Sequence, residues 1–348
     1  MYMITNKQFE EFKQEFDTIV EVYKKEFSEE KKRDWRTYEQ QWALRIKTAS
    51  KEIMPVIEEA DCVIVKVKHF GHPFETDVKQ KVLILLLKDI FQLSNRKMAN
   101  MLLFFSAFTG VEVGYKTIER AYSDLMIRMI IHNMFIVMIR RKVTHSVDVT
   151  GDGTGYSLTI TKHYRTVREK EGEAVKSNVD AKEQSTVAPA TKTKASKKKL
   201  FTYAFAMMDL ETHMYVGYGA SIISEKAAFN KAVSMMQDAG VITRSVRLDK
   251  YYGSQSTVYA FDKNTAIYII PKDNTTIKGP YAWKDIIRNL MLDPFSFLKE
   301  YYRRENSESG FSADKRCDGW KVWQKLDDRI DTAVMCKGVW HNLLLLGR

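Results

Sequence analysis

A chain of 348 residues is longer than one hydrophobic core usually serves, so two or three structural units are expected. Hydrophobic residues make up 45% and charged residues 28%, which excludes a disordered or fibrous chain and fits a globular one. The net charge of +11 calls for an anionic partner, and nucleic acid leads, because Lys and Arg that neutralise phosphates release counterions. A membrane surface ranks second, and the apolar run VLILLL at 82–87 is far too short to span a bilayer. No charged-then-apolar signal opens the chain, so a cytoplasmic protein is expected. The three cysteines, Cys62, Cys317 and Cys336, are odd in number and widely spaced, which favours reduced thiols over a disulfide framework or a zinc site.

Residues 7–60 carry Phe9, Phe12, Phe16, Ile19, Val20 and Tyr23 at helical intervals among Glu, Lys and Gln, and read as amphipathic helices. Thr76-Asp77 is a cap before a helix from Val78 to Phe91, and Ser94 caps a second. Gly110 and Gly114 break the pattern, and a third helix is expected from Tyr115 to about Arg141. Three helices, the last with a basic start, fit a helix-turn-helix segment, whose last helix enters the major groove. An ordinary helical bundle fits equally well.

After residue 142 the period changes. VTHSVDV, YSLTITKHY, FTYAFAMM and MYVGYGASI are runs of strand length. Residues 165–199 are polar, end in KTKASKKK and are expected to form a flexible basic loop. Residues 201–219 read as a hairpin turning at Asp209–Thr212, and Ser224 caps a helix that stops at Gly240. A strand ends at Asp249, a short helix and a strand at 265–272 follow, and the chain is expected to be helical from Ala282 to the end. In that last stretch YYRRENSESGFSADK (301–315) is interrupted by Ser309-Gly310. The expected class is α/β: a mixed sheet flanked by helices, preceded by an all-α region. The expected divisions are 1–75, 76–141 and 142–348.

Carboxylates gather at three places tied to the sheet: Asp148 and Asp152 in SVDVTGDGTGYS, Asp249 in VRLDKYYG, and Glu305 and Glu308. Carboxylates drawn together repel unless a cation sits among them, and Mg²⁺ prefers such oxygen ligands. Two such ions can activate a nucleophile and stabilise a leaving oxygen in phosphoryl transfer. Surface charges and caps are the competing reading, and Asp152-Gly153 is also a turn signal. GDGTG lacks the Gly-Lys-Ser/Thr of a nucleotide loop, and His145 and His163, nearby, read as surface or core residues.

Tyr301, Arg304, Glu308 and Lys315 match the Y-x2-R-x3-E-x6-K signature without a gap. With GDGTGYSLTITKHY, RLDKYY and PKDN, the chain resembles the DDE transposases of prokaryotic insertion sequences, well over 143–345 and more loosely over 76–125. The resemblance implies an RNase H-like catalytic domain that binds two Mg²⁺ ions, for which Mn²⁺ can substitute. It implies cleavage of double-stranded DNA at terminal inverted repeats and transfer of the 3′ ends to target DNA. It implies a homodimer in the DNA complex, a place with the nucleoid in the cytoplasm, and no membrane. Asp249 and Glu308 take the second and third catalytic and metal-binding positions. D-x-T-G fits both Asp148 and Asp152 for the first; Asp152 gives the closer match through Tyr156 to Tyr164. Arg304 and Lys315 would contact phosphates, Tyr301 would position the strand, and Glu305 would be a salt-bridged neighbour. Lys116, Thr117 and Arg120 would contact the inverted repeats. Trp283 has two readings, a base-stacking residue or a loop anchor. A metal-dependent nuclease that cuts without joining, and a non-catalytic DNA-binding protein, remain the alternatives.

Overall fold

The computed structural model describes residues 4–27, 34–65, 76–143, 146–159 and 201–347. The basic loop expected at 165–199 lies outside the described residues, as do His145 and His163.

The amphipathic pattern at the N-terminus becomes α1 (Asn6–Phe27) and α2 (Trp35–Cys62), with Phe9 and Tyr23 among the buried positions of α1. Asp77 starts α3 (Val78–Ile90) with a reciprocal cap to Gln80, and the Ser94 hydroxyl accepts the Lys97 N–H at the start of α4 (Asn95–Thr109). The single helix expected over 115–141 is two: α5 (Tyr115–Ala121) and α6 (Leu125–Lys142), bent by 60°. Asp124 causes the break, because its carboxylate accepts the N–H groups of Met126 (2.9 Å) and Ile127 (3.3 Å) and so caps a new helix. Helix α6 buries eight apolar side chains between Ile127 and Ile139, while Arg128 and Met129 are exposed, and it packs as a core helix. Among the described residues no single helix is long and apolar enough to cross a membrane.

The sheet begins with β1 (Val147–Leu158), a single strand where two had been expected, and Asp152-Gly153 lies inside it, not at a turn. Strands β2 (Phe201–Asp209) and β3 (Tyr215–Ser221) form the expected hairpin, with the Asp209 carboxylate accepting from the Thr212 N–H (2.9 Å) and hydroxyl (2.7 Å). After α7 (Glu225–Asp238), strand β4 (Thr243–Leu248) pairs parallel with β1. A short helix, α8 (Gln255–Val258), precedes β5 (Ala266–Tyr268), which keeps only three of the eight residues expected. The strand order is β3-β2-β1-β4-β5, with β2 antiparallel to β1 and β3 to β2, and with β4 and β5 parallel.

Helices α9 (Tyr281–Leu292), α10 (Pro294–Tyr302) and α11 (Glu305–Asp318) follow. Ser309-Gly310 does not interrupt α11; the break falls at Arg303-Arg304, between α10 and α11. Gly310 lets α11 approach the sheet, since a Cβ there would lie 3.3 Å from Tyr215 Oη and 3.4 Å from Met208 Sδ. The final stretch is not wholly helical either: β6 (Lys321–Val322) pairs with Ser157 and Leu158 of β1 before α12 (Asp327–Leu345).

Helix α12 joins the helical and sheet regions. Trp340 Nε1 donates to the Leu86 carbonyl (2.8 Å), while Asn342 exchanges hydrogen bonds of 2.8 Å with both backbone groups of Tyr215. The buried Lys337 ammonium lies 3.5 Å from Asp89 of α3 and 3.4 Å from Asp318 at the end of α11. One hydrophobic core therefore runs from α2, α3 and α6 through α12 into the sheet.

Candidate active site

Strand register brings the first two carboxylates together. On the parallel pair β1–β4, Thr150 faces Arg247 and Gly151 faces Leu248. The next residues are Asp152 and Asp249, so the two aspartates leave the ladder side by side. Beyond this point β4 ends, and β6 does not join β1 until Ser157. Helix α11 fills the interval. Thr150 Oγ1 lies 3.4 Å from the Arg304 carbonyl, and Lys315 Nζ donates to Thr154 Oγ1. Alternation along the strand puts Thr150, Asp152, Thr154 and Tyr156 on the same face, toward α11.

Glu308 reaches this face from the first turn of α11. Arg304 Nη2 lies 3.1 Å from Glu308 Oε1, and its Nη1 lies 3.5 Å from Asp249 Oδ2. The guanidinium is thus the cation between two of the carboxylates. It also lies over the Tyr301 ring, 5.8 Å from its centroid. Asp249 is fixed by its own turn, with Oδ1 accepting the Tyr251 N–H at 2.8 Å. Asp152 Oδ1 accepts the Gly153 N–H at 2.9 Å. Burial pushes the Asp152 carboxyl up to about 6, against the pull of the Gly153 N–H and Arg304, and the charges of Glu308 and Asp249 add to the rise. Such a displaced carboxyl beside like charges marks a site that favours added positive charge.

The inner face of α11 is anchored independently. The Tyr215 hydroxyl donates to Asp314 Oδ2 (2.6 Å), and His341 Nδ1 lies 2.7 Å from Asp314 Oδ1. With Lys337 gripping Asp318, these contacts fix the helix that carries Glu308 and Lys315.

Asp148 is placed elsewhere. It sits four residues earlier on β1, bound by the Arg244 guanidinium and the Ser245 hydroxyl of β4. Arg244 holds its carboxyl down at about 2, helped by Ser245. Ser245 continues to Arg247 (2.6 Å), which is almost fully buried and pairs with Glu300. Asp148 therefore belongs to an ion-pair network that ties α10 to the sheet.

The remaining sequence candidates separate clearly. Tyr301 is only 5% exposed, with its ring packed under the Arg304 guanidinium. Trp283 is buried, with its indole N–H donating to the Thr276 carbonyl (3.3 Å), and anchors a loop. Glu305 is exposed on α11, and among the described residues its carboxylate forms no salt bridge. Lys116, Thr117 and Arg120 are all exposed on α5, away from this centre in the chain's helical half. The sequence reading missed Glu225, whose carboxylate lies where a Gly153 Cβ would fall and accepts the Tyr252 hydroxyl at 2.6 Å. It also missed Thr154 as the partner of Lys315.

Among the described residues no three His, Cys, Asp or Glu side chains close into a metal-binding set. With Arg304 between them, Asp249 and Glu308 face a guanidinium. Asp152, Asp249 and Glu308 are nonetheless oxygen donors of the kind a hard divalent cation takes, and among the described residues Asp152 forms no ion pair.

The fold and site define a mixed α/β protein with an acidic centre where its central parallel strands end. The chain is 38% identical over 342 residues to the probable transposase for insertion sequence element ISA1214 of Archaeoglobus fulgidus, a match spanning 98% of this chain and 97% of that protein. No family model matches. At that identity and coverage, the chain belongs to the insertion-sequence transposases.

Proposed function

We propose that this transposase is of the DDE type, cutting DNA at the ends of its element and joining the 3′ ends to a target. One observation carries the reading. The β1–β4 register sets Asp152 beside Asp249, and a single arginine, Arg304, joins Asp249 to Glu308 of α11. The strand order, an antiparallel hairpin beside parallel strands, supports an RNase H-like catalytic domain.

Asp152, Asp249 and Glu308 would hold Mg²⁺, two ions in all, with Mn²⁺ able to substitute. Bound there, the ions would lower the pKa of water and offset charge on the scissile phosphate. The chain's own residues supply the rest. Lys315, fixed by Thr154, offers its remaining N–H donors to a phosphate. Arg304 can exchange its carboxylate partners for a phosphate through the same planar fork, and Tyr301 keeps its plane. The exposed row Lys116, Thr117 and Arg120 on α5, preceded by α4, would read the inverted repeats as a helix-turn-helix. Two ends must be held together for joining, which calls for a homodimer on DNA.

The test is an end-cleavage and strand-transfer reaction with labelled element-end DNA and Mg²⁺ or Mn²⁺. Wild type and Asp148→Asn should give joined products, and Asp152→Asn, Asp249→Asn and Glu308→Gln should give none. Nicked but never joined DNA would make the protein a nuclease. Binding without cleavage in every variant would make it a DNA-binding protein alone.

A further inference from the structure

Helix α11 ends at Gly319, whose φ of +78° turns the chain back toward β1, and a Cβ there would fall 2.5 Å from Gln92 Oε1. The next residue, Trp320, is held on a rigid backbone: its carbonyl accepts the Ser157 N–H at 3.0 Å, and Lys321-Val322 pair with β1. Its side chain is nonetheless 60% exposed. A large indole pinned by its backbone and left in solvent contributes little to the core of this fold.

Its surroundings point to an occupant. The Lys315 ammonium lies 4.3 Å from the indole centroid, against one face of the ring, while donating to Thr154. Thr154 is two residues beyond Asp152 on the same strand face, about 7 Å along β1. Arg316 and Lys321, both exposed, extend the positive charge on this side. A strand whose phosphates meet Arg304 and Lys315 would carry its bases past the indole. Stacking needs only an exposed aromatic face beside a cationic track.

We infer that Trp320 is the stacking platform for an unpaired nucleobase of the bound strand, next to the phosphodiester addressed by the acidic centre. This rests on the DNA-cleaving reading of that centre. Lys315 has two roles here: it holds the neighbouring phosphate, and it stiffens the indole by cation–π contact. Stacking is indifferent to base identity, so Trp320 would add affinity without adding sequence preference.

The experiment uses the full chain and element-end duplexes with 2-aminopurine placed singly at each of the terminal positions, in paired and frayed forms. Wild-type cleavage is measured on the same DNA. Wild type and Trp320→Phe should change the probe's fluorescence at one position beside the cut, while Trp320→Ala and Trp320→Leu should not. Binding of the frayed duplex should weaken about tenfold in the Ala and Leu variants. Unchanged fluorescence and affinity in both variants, with cleavage intact, would overturn the stacking role and leave the catalytic reading standing. A Trp320-dependent signal in a protein that never cuts would uphold stacking and overturn cleavage. No signal from wild type at any position would overturn the inference outright.

Discussion

Arg304 grips Glu308 one helical turn along α11, Nη2 to Oε1 at 3.1 Å, while its other terminal nitrogen lies 3.5 Å from Asp249. Two carboxylates of the centre thus share the protein's own cation. A divalent ion arriving alone must compete with that guanidinium, whereas DNA offers Arg304 a phosphate in exchange. Arg304→Gln should therefore raise the thermal stabilisation by Mn²⁺ in the absence of DNA, while lowering DNA affinity and abolishing cleavage. Equal Mn²⁺ stabilisation of wild type and variant, read by thermal melts across a metal titration, would remove Arg304 from this role.

The Asp152 carboxyl, raised to about 6, gives a signed pH prediction. Its folded pKa exceeds the unfolded value, so ionisation costs folding free energy as pH rises from about 4 to 6, and the cost is constant above. Asp152→Asn should thus be more stable than wild type at pH 7.5, by about 2 kcal/mol after allowance for partial exposure. The gain should vanish near pH 4. Chemical denaturation of both proteins across this range reads it directly.

Asp148 behaves oppositely. Its carboxyl is held at about 2 by Arg244, so the pair stabilises the fold above the unfolded pKa and loses that contribution as pH falls through 2. Asp148→Asn should cost on the order of 1 kcal/mol at pH 7, since the partner arginine is largely exposed, and nothing near pH 2. Cleavage should survive. A dead but fully stable Asp148→Asn would reverse the assignment of the two aspartates.

Both aspartates stand in D-x-T-G, and spacing alone left them open. What separates them is the register of β1 on β4, a tertiary fact: one position pairs across to Ser245, the other clears the end of Leu248. Asp249 and Glu308 were legible because each follows or opens a strong local pattern, an apolar strand and a helix with fixed spacing. Ser309-Gly310 misled, because glycine in a helix normally weakens it, whereas here the missing side chain admits Tyr215. The α5–α6 break was signalled by Ser123-Asp124, a capping pair masked by the apolar run on either side. Two-residue β6 has no period to read, and the exposure of Trp320 depends on it.

The exposed row on α5 makes a separate prediction. Lys116→Ala and Arg120→Ala should each leave the melting temperature near wild type and weaken binding to element ends. Each should reduce the slope of log affinity against log salt by roughly 0.9, if the lost contact is a phosphate. An unchanged slope in both variants, measured by fluorescence anisotropy, would move recognition away from α5.

The central claim is that Asp249 is a metal ligand at a phosphodiester. The most direct measurement is cleavage of element-end DNA by Asp249→Cys in Mg²⁺ and in Mn²⁺. A thiolate is a poor ligand for Mg²⁺ and a better one for Mn²⁺. The account predicts no cutting in Mg²⁺ and partial recovery in Mn²⁺, with wild type active in both. Cutting by Asp249→Cys at the wild-type rate in Mg²⁺ would contradict it.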